Sequence, residues 1–240
     1  MKAFSITDIG EKRKVNQDYV FCESMPIGVL PNLFIVADGM GGHNAGDYAS
    51  RFGVEDFVAR VKSYKDGTPI EVFERAIRET NEALLKKANE QEELEGMGTT
   101  FVVASCVEDT LYIANIGDSR LYIVNDKIKQ ITKDHSLVEE MVRSGKIDRS
   151  EARLHPNKNI ITRALGVNGT VEPDYFEETI GPGDIVLICS DGLTNMLEDS
   201  EILNIIHGES ENIETTVKKL VEEANRHGGR DNIAVVLVKQ

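Results

Sequence analysis

The chain has 240 residues, 40% of them hydrophobic, and a formal net charge of −14. That length and apolar content allow a sizeable core and argue against disorder. The acidic balance argues against a nucleic-acid-binding surface, because no positive excess is present to neutralise backbone phosphate; it fits a well-solvated protein, or one whose acids are partly neutralised by bound cations.

The N-terminal stretch MKAFSITDIGEKRK has no apolar core region, so no signal peptide is expected. The longest apolar runs, IVLIC and IAVVLV, are too short to span a bilayer, and no membrane insertion is expected. Cys22, Cys106 and Cys189 lack metal-type spacing, and the last two sit in apolar strand-like runs as small hydrophobes. A cytoplasmic location follows as an expectation.

In chain order, AFSITDI, YVFCE and NLFIVAD read as strands, then helical patterns cover 44–61 and 69–91. TTFVVASCV, TLYIANI and RLYIVN continue the strand series. So little separates the last two that an antiparallel hairpin is predicted. The polar, weakly periodic stretch 144–169 is longer than an ordinary connection, and such loops are often functional lids. DIVLICS and NIAVVLVKQ are the last strands, with a helix over 213–226 that stops near the tandem Gly228 and Gly229. Strands and helices do not alternate as in a Rossmann chain, and no linker or repeat interrupts them. The pattern predicts one α+β domain, 1–240, of antiparallel sheets covered by helices.

A carboxylate recurs at the strand ends. Asp38 closes LFIVAD, Asp118 follows LYIANIG, and Asp191 follows DIVLICS; Asp231 and Asp18 stand just before strands. A single Asp-Gly after a strand is a turn signal. Several at one edge of a sheet would repel one another strongly unless a cation sat among them. All the donors are oxygen, which suits Mg²⁺, Mn²⁺ or Ca²⁺ rather than zinc. Gly39, Gly41 and Gly42 would let the backbone turn sharply, so that a main-chain carbonyl joins Asp38 at the ion. Such a site could activate water for attack.

The segments TDIGEKRKVNQD, VADGMGGHNAGDYAS, GMGTT, ANIGDSRLY, DHSL, ITRALG, CSDGL and GGRDNI occur in an order that resembles the metal-dependent serine/threonine protein phosphatases of type 2C, especially their bacterial branch. They span Thr7 to Ile233. The resemblance implies a central β-sandwich flanked by helical layers, αββα, with 144–169 as a flap near a metal centre. It assigns Asp38 to the bridge between two Mn²⁺ or Mg²⁺ ions and Gly39 to a carbonyl ligand. Asp191 and Asp231 complete the second ion's shell, and Asp18 contacts metal-bound water. Asp118 matches a ligand of the third metal found in bacterial members, and Arg13 the arginine that grips the substrate phosphate. A guanidinium suits that task because its planar fork pairs two phosphate oxygens.

One departure concerns the general acid. Some members carry a histidine two residues after the bridging aspartate, where this chain has Met40; His43 follows three residues later. His135, in DHSL, reads as structural. The implied activity is hydrolysis of phosphoserine and phosphothreonine in proteins by a metal-bridging hydroxide, opposing a serine/threonine kinase, with monomer as the default state. Two rival functions are a catalytically silent interaction module and a phosphodiesterase or small-molecule phosphatase. The first typically loses metal-site acids, and this chain keeps each one assigned above. Arg149, Arg153, His155 and Lys158 give the flap a positive face suited to an acidic phosphopeptide.

Overall fold

The structure, a computed structural model, describes residues 1–42, 45–208 and 212–240. Its first strands are β1 (Lys2–Asp8), β2 (Asp18–Glu23), β3 (Leu33–Met40), β4 (Gly98–Thr99) and β5 (Phe101–Val107). They are followed by β6 (Thr110–Ile116), β7 (Arg120–Val124), β8 (Ile128–Gln130), β9 (Asp174–Thr179), β10 (Ile185–Cys189) and β11 (Ile233–Lys239). The helices are α1 (Ala45–Ser63), α2 (Pro69–Glu90), α3 (Leu137–Arg143), α4 (Arg149–Ala152), α5 (Asp191–Thr194), α6 (Asp199–Gly208) and α7 (Ile213–Arg226).

One sheet runs β1-β11-β10-β7-β8 and the other β2-β3-β5-β6-β9, with β4 beside β3. All of these pairings are antiparallel. The central strands are apolar on both faces, and the packing says why. On β11, Ala234, Val236 and Val238 lie between the sheets, while Ile233, Val235 and Leu237 pack outward with Ile202 and Ile206 of α6 and Val217 and Leu220 of α7. On β3, Phe34 and Val36 face inward; Leu33, Ile35 and Ala37 meet Phe57 of α1 and Phe73 of α2. Three apolar interlayers therefore separate four layers, helix, sheet, sheet and helix, and each fully buried Val, Leu or Phe contributes roughly 1.5–3 kcal/mol. The predicted α+β sandwich is the observed architecture.

Helix ends follow local chemistry. Pro69 opens α2, and Thr68 and Glu71 close a reciprocal capping box ahead of it. Helix α7 starts on an Asn212 cap and stops before Gly228 and Gly229, whose N–H groups return to the Asn225 and Ala224 carbonyls.

Three expectations change. The segments TLYIANI and RLYIVN do not form a hairpin: β6 pairs with β5 and β9, whereas β7 pairs with β10 and β8 in the opposite sheet. Both edges of β6 are already taken, and Gly117, at φ +104°, turns the chain across the sandwich instead. TTFVVASCV is interrupted at Thr100, dividing β4 from β5. Strands β8 and β9 and helices α3 to α6 were not predicted, being short or charged. The first helix begins at Ala45 among the described residues, and Asn44, with which its pattern opens, lies outside them. Among the described residues no helix is long and apolar enough to cross a membrane.

Candidate metal centre

Antiparallel registers bring the scattered carboxylates to one edge of the sandwich. Asp18, at the start of β2, is the register partner of Asp38 near the end of β3. Asp191 follows β10 after Ser190, whose N–H bonds the Ala234 carbonyl of β11, so Asp191 and Asp231 flank adjacent strands. Asp118 lies in the crossing that feeds β7, whose Arg120 opposes Cys189 of β10. A cleft of about 280 Å³ is lined by Arg13, Asp38, Gly39, Asp118, Asp191 and Asp231, with Met40 and Asn232 beside them. Asp18 lies buried next to Asp38.

Gly39 is required for a reason other than turning. Strand β3 runs on through Met40, and a Cβ on Gly39 would stand 1.9 Å from the Gly46 carbonyl of α1. Close approach of helix to strand is what demands glycine there; the sharp left-handed conformation comes at Gly41, φ +148°. The Asp38 segment is then fastened by Thr100, whose hydroxyl accepts the Asp38 N–H at 2.9 Å and shares a hydrogen bond with Ser119 at 2.8 Å.

The electrostatics are those of crowded acids. Burial pushes the pKa of Asp18 up, and the charges of Asp191 and Asp231 add to it, against a 2.6 Å hydrogen bond from the Ser190 hydroxyl to Oδ2. Burial also raises Asp38 well above the carboxylate range, reinforced by Asp18, Asp191, Asp118 and Asp231. Asp118 is raised by burial and then by Asp191, and Asp191 by burial and then by Asp231. Asp38 and Asp191 retain part of their surface at the cleft, yet protein atoms crowd their carboxyl groups, so desolvation is still the largest cause. Among the described residues, Asp18 Oδ1 and Asp191 Oδ1 are buried without a hydrogen-bond partner. Orphaned carboxyl oxygens in an acid cluster are what a hard divalent cation would satisfy, since it favours the ionised form of each acid.

The donor set fits such an ion. No three acidic, histidine or cysteine side chains among the described residues are set at metal-holding spacing. The carboxylates therefore ring the cleft rather than close a shell. Mg²⁺-like ions suit this, since they keep several waters and need one or two carboxylates each. Asp38, Asp191 and Asp231, with the Gly39 carbonyl, could hold ions in the cleft, and Asp118 and Asp191 could hold one at its side.

Arg13 reaches into this edge and donates to Asp231 Oδ2 at 2.7 Å. Its guanidinium is half-exposed, so the contact is open to exchange. Met40 lines the cleft two residues after Asp38, and His43 lies outside the described residues. His135 holds the Gly117 turn, donating its N–H to the Gly117 carbonyl at 2.9 Å and accepting the Gly117 N–H on Nδ1 at 3.1 Å. Its Nε2 lies 3.2 Å from Asp174, and burial lowers its pKa, which agrees with a structural part.

The 144–169 segment is tied at its C-terminal side to β4 through Leu165 and Thr99, and its Asn159 and Ile161 line the cleft. A second cavity of about 510 Å³ shares Asp118 and Asp191 with the first and is lined by Arg149, Arg153 and Lys158. These cations are engaged: Arg149 pairs with Glu139, Arg153 with Glu198 at 3.1 Å, and Lys158 bonds Asn195 at 2.9 Å. His155 accepts the N–H of Asn157 within its own turn. Asn195 in turn donates to Asp191 Oδ2 at 2.8 Å. Sequence reasoning passed over Ser190, Thr100 and Asn232, although all three stand inside the quoted motifs. It also passed over Asn195, although that residue stands four after Asp191.

The sequence matches the protein phosphatase 2C family over residues 28–233. It is 40% identical to the serine/threonine phosphatase stp of Listeria innocua, across 98% of this chain and 94% of the relative. The crystal structure of the serine/threonine phosphatase Stp1 from Staphylococcus aureus is similar with a TM-score of 0.92 at 35% identity, covering 100% of this chain and 94% of that one. The catalytic domain of the phosphatase PstP, in complex with two manganese ions, is similar with a TM-score of 0.85 at 33% identity, covering 98% and 96%.

Proposed function

Because the chain belongs to the protein phosphatase 2C family and is a serine/threonine phosphatase of that type, we propose that it cleaves phosphoserine and phosphothreonine in proteins at the cleft of Asp38, Asp191 and Asp231. The observation that carries this reading is the convergence of five carboxylates from separate segments on one edge, with buried oxygens left unpartnered. Residues 1–240 act as one catalytic domain, and a serine/threonine kinase is the partner that supplies its substrates.

Mn²⁺ or Mg²⁺, two ions with a third at Asp118, would lower the pKa of water and offset charge developing on the phosphoryl oxygens. Asp38, the Gly39 carbonyl, Asp191 and Asp231 would hold them. Asp18, its Oδ2 occupied by the Ser190 hydroxyl, has Oδ1 unpartnered and would accept a hydrogen bond from water held at the ions. Arg13 exchanges its contact with Asp231 for two oxygens of the substrate phosphate. Met40 has no proton to give, so the departing serine or threonine oxygen takes its proton from water in the cleft. No cysteine enters the reaction: none of Cys22, Cys106 and Cys189 lines the cleft, and burial raises all three thiol pKa values, suppressing the thiolate. The 144–169 segment serves as the flap over this edge.

Turnover of a phosphothreonine peptide with and without added Mn²⁺ tests the reading. Activity should require the ion and vanish with chelator; undiminished turnover by chelated protein would sink it. A phosphodiester compared in the same assay separates the rival activity.

A further inference from the structure

The loop over residues 9–17, which carries Arg13, has almost no apolar anchorage. Ile9 is 39% exposed and Val15 38%. Its conformation depends on polar fastening: the Ser50 hydroxyl and the Gly39 N–H hold the Gln17 carbonyl at its exit and Asn16 bonds Thr7, but the buried side chain that reaches both its entry and its exit is that of Asn232. Asn232, 4% exposed, gives its Nδ2 to the Ile9 carbonyl at 2.9 Å and to the Val15 carbonyl at 3.0 Å. Its Oδ1 accepts the Gln17 N–H at 2.8 Å. One amide therefore joins the entry of the loop to its exit. An aspartate could not do this, having no N–H to offer the two carbonyls.

The same residue follows Asp231, whose carboxylate accepts both the Asn232 N–H at 2.9 Å and the Arg13 guanidinium at 2.7 Å. Outer contacts assist: the Gly229 carbonyl takes the Glu11 and Lys12 N–H groups, and Asn225 donates to Asp8 at the foot of the loop at 2.9 Å. Asp18 has separate support, in its register with Asp38 and its bond from Ser190. Loss of the Asn232 amide would thus loosen the arginine loop far more than the carboxylates.

We propose that Asn232 is a positioning residue for substrate phosphate, acting through Arg13: its amide closes the 9–17 loop and holds the guanidinium at the rim of the acid cluster. The proposal rests on the reading of Arg13 as the phosphate-gripping arginine. It makes the Asp-Asn pair a unit in which one residue serves the cation and the next serves the anion.

The test is a double-mutant cycle with Mn²⁺ saturating, using Arg13→Ala, Asn232→Ala and the double variant. It reads kcat and KM on a phosphothreonine peptide, inhibition by inorganic phosphate, and Mn²⁺ affinity by calorimetry. Asn232→Ala should lower kcat/KM about tenfold and weaken phosphate inhibition to match, as expected for a misplaced charge-assisted contact. Mn²⁺ affinity should hold, and the double variant should be no worse than Arg13→Ala, since the two act through one group. Multiplying losses, or Mn²⁺ affinity that collapses with activity, would make Asn232 a support of Asp231 and overturn the proposal. If Arg13→Ala alone changes nothing, the reading of Arg13 fails first and takes this one with it. Should Asn232→Ala not fold, Asn225→Ala decides, because it frees the foot of the loop from outside the cleft. A smaller loss of the same kind supports the proposal, and unchanged phosphate inhibition overturns it.

Discussion

Strand β3 passes from Phe34, Ile35 and Val36, which are at most 1% exposed, to Asp38 within two residues. β10 does the same from Ile188 and Cys189 to Asp191. The sandwich interior and its acid edge are thus built on the same strands with opposite energetics. Burying apolar side chains stabilises the fold, whereas burying carboxylates beside one another opposes it. The interior is what makes the edge attainable: strands locked on both faces hold like charges at separations that free side chains would not adopt.

The sharpest way to break that comparison is to neutralise the most crowded acid. Asp38→Asn keeps the side-chain volume and removes the charge. Turnover of phosphopeptide with Mn²⁺ should fall more than about a hundredfold, since an anionic ligand is lost. Chelated protein should melt no lower than the parent, because repulsion is relieved. The pH dependence follows from the raised carboxyl pKa values. Above the ordinary carboxylate value of about 4, the folded protein keeps protons that the unfolded chain has released. Its stability without metal therefore falls as pH rises through the raised values. Thermal melts with chelator from mildly acidic to mildly alkaline pH should show this decline, shallower in Asp38→Asn. A variant that melts well below the parent in chelator would mean the carboxylate stabilises the fold.

The interior should behave in the opposite way. Leu187 is fully buried between its sheet and the α6–α7 layer. Leu187→Ala should cost about 2–5 kcal/mol of stability in urea unfolding. Activity per folded molecule should stay close to the parent's. A loss of activity without loss of stability would show that core and edge are not separable in this way.

What was legible in the sequence follows the same division. Strands and long helices announced themselves because both faces of β3, β10 and β11 are buried, leaving unbroken apolar runs. The carboxylates were legible because each ends or precedes such a run. Pairing was not: β6 and β7 look like a hairpin, and only the competition of β5 and β9 for the edges of β6 sends β7 to the other sheet. Gly39 was noticed for the wrong reason, since the helix that crowds it comes from residues that follow in the chain. The amide of Asn232 was invisible because its partners Ile9, Val15 and Gln17 lie at the other end of the chain, whereas Asn195 stands four residues after Asp191, a helical spacing that a local reading could have caught.

At the rim, where a cation meets the acids, the effect should be intermediate. Arg13→Ala removes a charge-assisted fork and should lower kcat/KM on phosphopeptide by about 10–100-fold. Arg13 pairs with the Asp231 carboxylate, and a metal ion held there would compete with it, so Mn²⁺ affinity should be equal to or tighter than the parent's. Calorimetry decides: weakened Mn²⁺ binding would reassign Arg13 to support of the acid cluster.

The smallest effect is expected at the flap, which belongs to neither region. Arg149 and Arg153 line the cavity beside Asp118 and Asp191, but each is already paired, with Glu139 and Glu198. Arg149→Ala with Arg153→Ala would leave those two glutamates uncompensated in a cavity that also holds Asp134 and Asp199. An acidic phosphopeptide approaching over the flap would then meet added repulsion, screened by solvent because the pairs are partly exposed. Its kcat/KM should fall a few-fold, up to about tenfold at low salt, and recover as salt is raised. A small aryl phosphate, which enters the cleft without reaching that cavity, should be hydrolysed at the parent's rate. Equal losses on both substrates would mean that the arginines act on the metal centre through Asp191 rather than on recognition of the peptide.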